Sequence, residues 1–368
     1  MEKKKVVITG IARTPWGKPE GKMEHFISSD LLAKILPVVL ERSGISGDDV
    51  GQTIFGQSRP TTMPSNLGHY AWLKARLPEH VPGYTVQSVS GSAIQALRSA
   101  YYLIASGNEE ICVAGGADSY SAAPFVIRNA RNHFNERDRV IIDTLQEAEE
   151  CTQPEPISRK NQFEFRYPSA SIEDSAPYRS ESLSRAKNYT DKTISPISYM
   201  EKKKGEVTIS EDEWLMEREG HDAVLAPNAD GAVAMVLMDA EKAEQMGIPS
   251  IAEIVSFAVT ADNYRSITDA GVAAVRKLLS ANGITMEDIG AVEILENSAE
   301  DVIYIRDKIG AQNKCNLNGG ALAFGLNDGA EGAFMVSRLI DALEPGARGV
   351  CCIYSPGGLG IAMLIQKC

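Results

Sequence analysis

The apolar and polar positions of this chain repeat as a block. "LLAKILPVVLERSGISGDDVGQTIFGQ", from Leu31, reads as an amphipathic helix, a glycine that can end it in the left-handed conformation, a short acidic turn and an apolar strand. "AGVAAVRKLLSANGITMEDIGAVEILEN", from Ala270, has the same pattern. Gly44, Ile45, Asp49 and Gly51 recur as Gly283, Ile284, Asp288 and Gly290, each 239 residues later. At the same offset "AIQALRSAYYLIASGNEEICVAGG" lies over "AFMVSRLIDALEPGARGVCCIYS", with Gly107 over Gly346 and Cys112 over Cys351. Two helix–strand units in one order at one spacing predict a duplicated α/β chain.

Each half begins near a strand, "KVVITGIA" at 5–12 and "IAEIVSFAV" at 251–259, which divides the chain into 1–245 and 246–368. Strands alternating with helices predict layered sheets covered by helices. Residues 126–222 break the pattern with polar, charged text such as "RNARNHFNERDR" and "EKKKGEVTISEDEW". One helix is expected there, near 172–188, with Ser171 as N-cap and the acids of "IEDS" in its first turn. A connection this long in a compact protein serves as a lid, a binding surface or an oligomer contact. "NADGAVAMVLMDAEKAEQMGI" then returns to the first half as a strand and helix.

Composition narrows the function classes. The 368 residues suggest two domains, and 43% hydrophobic content fills substantial cores. A net charge of −12 argues against nucleic acid or an anionic membrane as the main partner, while leaving room for a local basic pocket that holds an anionic thioester. "MEKKKVVITGIARTP" is too short in apolar residues for a signal-peptide core, and no run of about 20 apolar residues spans a bilayer. The six cysteines, 112, 151, 315, 351, 352 and 368, show no CxxC spacing, so a reduced, cytoplasmic protein is expected, with Cys351 and Cys352 as buried strand sulfur. No GxGxxG or GxxxxGK[ST] follows a strand, so dinucleotide and P-loop readings lack their phosphate cradle; no resident cofactor and no metal are expected. "VQSVSGSAIQAL" (86–97) reads as strand end, small-residue turn and helix start, which puts the Ser90 hydroxyl where such a junction can hold a nucleophile.

The chain resembles the thiolase superfamily over essentially its whole length. The matching text is "RTPWGK" (13–18), "AWLKARLPEHVPGYTVQSVSGSAIQAL" (71–97), "VAGGADSYSAAP" (113–124), "NADGAVAMVLM" (228–238), "NLNGGALAFGLNDGAEGA" (316–333) and "PGGLGIAM" (356–363). The resemblance implies a five-layered α-β-α-β-α fold of two duplicated halves, an obligate dimer, and acyl transfer from CoA thioesters through a cysteine nucleophile, a histidine base and a second cysteine. Each catalytic position is replaced here. Family VxxVCGSG is VQSVSGSA, which places Ser90 at the nucleophile position. Family GGAxxxGHPxGASG is GGALAFGLNDGAEG, which places Leu326 at the histidine position. The second cysteine falls on Tyr354, with Ser355 beside it, and the family's ENEAF-like segment gives Leu295 at its polar position, with Glu296 and Asn297 the nearest polar groups. The usual His-Met-Gly segment is missing, and "FRYPSAS" stands in that region.

The five histidines are 25, 69, 80, 133 and 221, so the second half supplies no imidazole. A serine nucleophile needs an adjacent general base, worth about 10²–10⁴ in rate, and Leu326 is none. The preferred reading of Ser90 is a small hydroxyl satisfying backbone at a helix start. The glycine-bearing loops survive: Asn318, Gly319, Gly320 and Gly325, and Gly357 and Gly358, either face a thioester or permit close helix–sheet contact. Arg128, Arg131, Lys160, Arg166 and Lys202–Lys204 either hold CoA phosphates or form a solvated face.

Two functions of different class follow. One is a catalytically degenerate subunit that pairs with an active thiolase paralogue, or with itself, and has acyl-CoA as its possible ligand. The other is an active acyl-CoA C-acyltransferase or condensing enzyme whose missing base comes from a partner, Glu296 or His133. A stand-alone acyl-CoA carrier or sensor is a third reading. The edge strand "GYTVQSV" (83–89) and the helix from Ser92 are the candidate assembly elements.

Overall fold

The two predicted blocks fold alike. The computed structural model describes residues 3–59, 65–127, 140–151, 172–189, 199–201, 207–209, 212–213, 225–262 and 266–368. Its first part runs β1 (Val6–Arg13), α1 (Ser28–Ser43), β2 (Gln52–Gly56), α2 (Leu67–Lys74), β3 (Gly83–Val86), α3 (Ser92–Ala105) and β4 (Ile111–Asp118). The excursion holds a hairpin of β5 (Phe125–Ile127) and β6 (Ile141–Asp143), helices α4 (Thr144–Cys151) and α5 (Ile172–Asn188), and a second hairpin of β7 (Tyr199–Glu201) and β8 (Val207–Ile209). β9 (Gly231–Asp239) and α6 (Ala240–Met246) lead into β10 (Ala252–Ala261), α7 (Ile267–Ala281), β11 (Ile289–Ile294) and α8 (Ala299–Ile309). The chain ends with α9 (Ala321–Phe324), α10 (Glu331–Ala342), β12 (Arg348–Ser355) and β13 (Leu359–Lys367).

Strand order is β11-β12-β13-β10-β1-β9-β4-β2-β3. The first half contributes β2-β4-β9-β1 and the second β11-β12-β13-β10. In each the first pair is parallel and the other two are antiparallel. The halves meet where β1 pairs with β10, from Val6–Ile254 to Ile8–Ala252. Both first helices end at a left-handed glycine, Gly44 at φ 71° and Gly283 at φ 63°. The turns that follow are closed identically. Asp49 accepts from the Ser46 amide and hydroxyl at 2.8 and 2.9 Å, and Asp288 from those of Thr285 at 2.8 and 3.1 Å.

These elements stack as α1 and α2, the first half-sheet, α3 with α10, the second half-sheet, then α7 and α8. The central strands are covered on both faces, which is why β1, β4 and β9 are buried along their whole length. The central helices approach closely at Gly332, where a methyl group would stand 2.9 Å from the Ile94 nitrogen. The expected helix at 172–188 is α5, and Ser171 lies outside the described residues. The strand expected over 83–89 stops at Val86, because residues 88–92 turn tightly into α3. Among the described residues no helix is long and apolar enough to cross a membrane.

Candidate active site

Ser90 sits in the turn between β3 and α3, two residues before the helix begins. The preceding Val89 is held at φ 47°, a conformation that costs a β-branched residue about 1–3 kcal/mol. Ser92 fixes that turn: its hydroxyl donates to Val89 O at 2.6 Å and accepts the Ser88 amide at 2.9 Å. The backbone-satisfying role expected of Ser90 therefore belongs to Ser92. The Ser90 hydroxyl donates instead to Oδ1 of Asp328, 2.6 Å away, with both side chains nearly buried.

Asp328 lies two residues beyond Leu326, in the loop between α9 and α10, and it collects three donors. Besides Ser90, the Tyr120 hydroxyl reaches Oδ2 at 2.8 Å and the Arg59 guanidinium reaches the same oxygen at 3.1 Å. A second carboxylate anchors the assembly from below. Asp118, at the end of β4, accepts from the amides of Ser58 at 3.1 Å, Arg59 at 3.0 Å and Gly329 at 2.8 Å. β4 reaches this loop only because residue 116 is glycine; a methyl there would overlap the Gly329 carbonyl. The Asn327 side chain completes the joint, donating to Asp118 O at 2.9 Å and Ala229 O at 2.8 Å.

Burial pushes the Asp118 carboxyl up to about 7 against the opposing amide of Arg59, and burial followed by Asp328 raises the Tyr120 phenol well above its usual range. Burial opposes the Arg59 charge, but Tyr120 and Asp328 outweigh it and the guanidinium is raised above its ordinary value. The site thus joins a hydroxyl, a phenol, two carboxyls and one guanidinium. The carboxylate polarises the Ser90 hydroxyl, yet it also stands where an attacking oxygen would bring further negative charge.

The other predicted positions are turned to structure. Leu326 is in the core, and its amide donates to Pro227 O at 2.6 Å. Tyr354 is buried and donates to Asp301 Oδ2 at 2.7 Å, tying β12 to α8. Ser355 does approach the turn, donating to Ser88 O at 3.4 Å. Glu296 is saturated by the Tyr178 hydroxyl at 2.8 Å, the Ser182 hydroxyl at 3.0 Å, the Asn316 amide at 2.9 Å and the Leu322 backbone amide at 3.0 Å. Expected as a substitute base, it is a knot that fastens α5 to the second half. Leu295 is buried, and Asn297 donates to Asp301 at 3.2 Å.

The glycine-bearing loop around Asn318–Gly325 packs in the same way. A methyl at Gly319 would meet Ala186 at 2.7 Å, and one at Gly320 would overlap the Glu296 carboxylate. Asn318 donates to Arg338 O at 2.9 Å, and the Gly325 carbonyl accepts the Trp16 indole at 3.1 Å. Gly357 is exposed beside open space, while Gly358 is buried. His133, His221 and the basic residues Arg128, Arg131, Lys160, Arg166 and Lys202–Lys204 lie outside the described residues. Cys112, Cys315, Cys351 and Cys352 are buried, and burial raises their thiols, those of Cys112 and Cys352 to about 12. Among the described residues no group of side chains is arranged to hold a metal ion.

Two family profiles cover almost the entire chain: Thiolase, N-terminal domain, over residues 6–241, and Thiolase, C-terminal domain, over residues 248–367. The chain belongs to the thiolase family. It is 29% identical over 397 residues to the acetyl-CoA acetyltransferase of Cupriavidus necator, covering 98% of this chain and 99% of that one. To the beta-ketoadipyl-CoA thiolase of Pseudomonas knackmussii it is 28% identical over 399 residues, covering 99% of both. The crystal structure of the Bacillus anthracis acetyl-CoA acetyltransferase superposes with a TM-score of 0.92 at 26% identity, over 100% of both chains. Within this thiolase-family chain the residues that gather at Ser90 are Asp328, Tyr120, Arg59 and Asp118. Asp118, Tyr120 and Asp328 stand inside family-like motifs without a role suggested by spacing. Arg59, in "GQSRP", has no sequence signal.

Proposed function

We propose that this thiolase-fold chain is a catalytically degenerate acyl-CoA acyltransferase homologue that holds a CoA thioester and pairs with an active thiolase paralogue. The observation that carries the reading is the fate of the Ser90 hydroxyl. It is committed to a carboxylate, and the loop that would offer an imidazole offers Leu326, buried in the core. An alcohol is a far weaker acid than a thiol, whose pKa of about 8.5 drops readily at helix N-termini, so Ser90 gains little from the position alone. Groups that act as a unit lose most of their chemistry together, and here all of them differ. The scaffold itself supports the assembly role. β3 is a sheet edge with Tyr84 at its surface, and Tyr70, Leu73 and Tyr102 are exposed on the helices beside it.

The test is co-expression with a thiolase paralogue that keeps its cysteine and histidine, followed by size-exclusion chromatography with light scattering. A heteromer formed in preference to the homomer is expected; a stable monomer, alone and with the paralogue, defeats the subunit role. The second reading, an acyl-CoA C-acyltransferase or condensing enzyme with a non-standard site, draws on the 2.6 Å Ser90–Asp328 contact. An acyl adduct on Ser90 would select it.

A further inference from the structure

Asp118 touches both walls of the site. Its carboxylate holds the Ser58 and Arg59 amides on the turn after β2 and the Gly329 amide on the loop after α9. Arg59 and Asp328, which these amides position, face each other at 3.1 Å, and Asp328 in turn holds Ser90. Asp118 belongs to the first half and Gly329 to the second, so the joint also crosses the seam between the duplicated parts.

We infer that Asp118 is a positioning residue for this site, that its ionised carboxylate is what keeps Arg59, Asp328 and Ser90 in register, and that binding of a CoA thioester is therefore coupled to loss of the Asp118 proton. The inference rests on the reading that the site holds a CoA thioester. The ionised carboxylate is acceptor-only and serves three amides, those of Ser58 and Gly329 buried and that of Arg59 partly buried. Protonation turns one oxygen into a donor that faces amide donors, and a buried amide left unpaired costs about 1–3 kcal/mol. The titratable groups facing Asp118 are Arg59 from the turn after β2, Asp328 from the loop after α9 and Tyr120 just beyond its own strand. Arg59 favours the ionised form, and Asp328 opposes it. Burial of the carboxyl brings the change into the neutral range, to about 7.

The experiment is calorimetric titration of the full chain with acetyl-CoA between pH 6 and 8, for the native protein and for Asp118→Asn. Native affinity should rise about tenfold across that range, the one-proton limit for a group titrating near 7, and the Asp118→Asn profile should lack this step. Titration of the CoA phosphate is common to both proteins and cancels in the comparison. A measurement that needs no variant accompanies it. In buffers of different ionisation enthalpy, binding to the native protein at pH 7 should release about half a proton beyond that of the ligand. Binding with no such release, or the same pH step in Asp118→Asn, overturns the inference while leaving the binding reading intact. Absence of acetyl-CoA binding at every pH overturns both.

Discussion

Oγ of Ser90 and Oδ1 of Asp328 are 2.6 Å apart, and Leu326, two residues earlier in the same loop, turns into the core. The loop that approaches the nucleophile position thus presents a carboxylate to it. A carboxylate is a weak base toward an alcohol, and its charge disfavours an oxyanion beside it. The isolated protein should show no appreciable thiolysis of acetoacetyl-CoA. After exposure to acetyl-CoA, intact-mass spectrometry should find no 42-Da addition of about one acetyl group on Ser90. Mass gain on that residue would reverse the assignment.

The same contact governs a cysteine placed there. In Ser90→Cys the helix N-terminus favours thiolate, whereas Asp328 and burial oppose it. Alkylation by iodoacetamide at pH 8 should be slow, and adding Asp328→Asn should speed it by about tenfold, one pKa unit's worth of relief. Equal rates in the single and double variants would show that Asp328 exerts no such field. Ser90→Cys alone should not restore full thiolysis, since Leu326 still supplies no base.

Glu296 makes a separate prediction. Glu296→Gln trades an acceptor for a donor among the Tyr178, Ser182 and Asn316 donors and should cost about 1–3 kcal/mol. Because Tyr178 and Ser182 belong to α5, that helix should become the first site of limited proteolysis. A variant cleaved no faster within 172–188 would contradict the knot.

A third set of charges lies between β11 and α10. Arg338 donates to Glu331 at 2.8 Å and to Glu293 at 3.2 Å, and all three side chains are buried. Arg338→Met leaves two buried carboxyls without their cation and should destabilise by about 3–5 kcal/mol. Burial pushes Glu293 up to about 8, with Arg338 opposing. A carboxyl raised in the folded state contributes stability that is full below its unfolded value and lost as pH rises through its folded value. Urea midpoints should therefore fall between pH 5 and 9, and more shallowly in Glu293→Gln; identical slopes would refute the assignment.

The duplication was legible because it rests on local rules. A left-handed glycine after a helix and a Ser/Thr–Asp capping box after that are written in residues 44–49 and again in 283–288. The positions of Ser90, Leu326 and Tyr354 followed from motif text, and their surroundings did not. Asp328 was in plain view two residues from Leu326, but periodicity carries no information on which side chain of a loop turns toward a distant helix. Arg59 and Asp118 come together through pairing of β2 with β4, a contact that no spacing along the chain encodes. Glu296 looked free for the same reason. Its donors Tyr178 and Ser182 arrive from the excursion, where the sequence predicted a helix but no docking place.

The two half-sheets have one strand order but very different connections. β4 and β9 become neighbours only after residues 119–230 have been looped out, whereas β12 and β13 are joined by residues 356–358. Closing the longer loop costs about 3 kcal/mol more in chain entropy, owed before the pairing returns anything. The second half should therefore nucleate first on refolding and offer β10 as a ready template for β1, with the first half condensing onto it. In a pulse-labelled hydrogen-exchange experiment, amides of β12 and β13 should be protected before those of β4 and β9. Chain duplication thus leaves this molecule symmetric in architecture and directional in time.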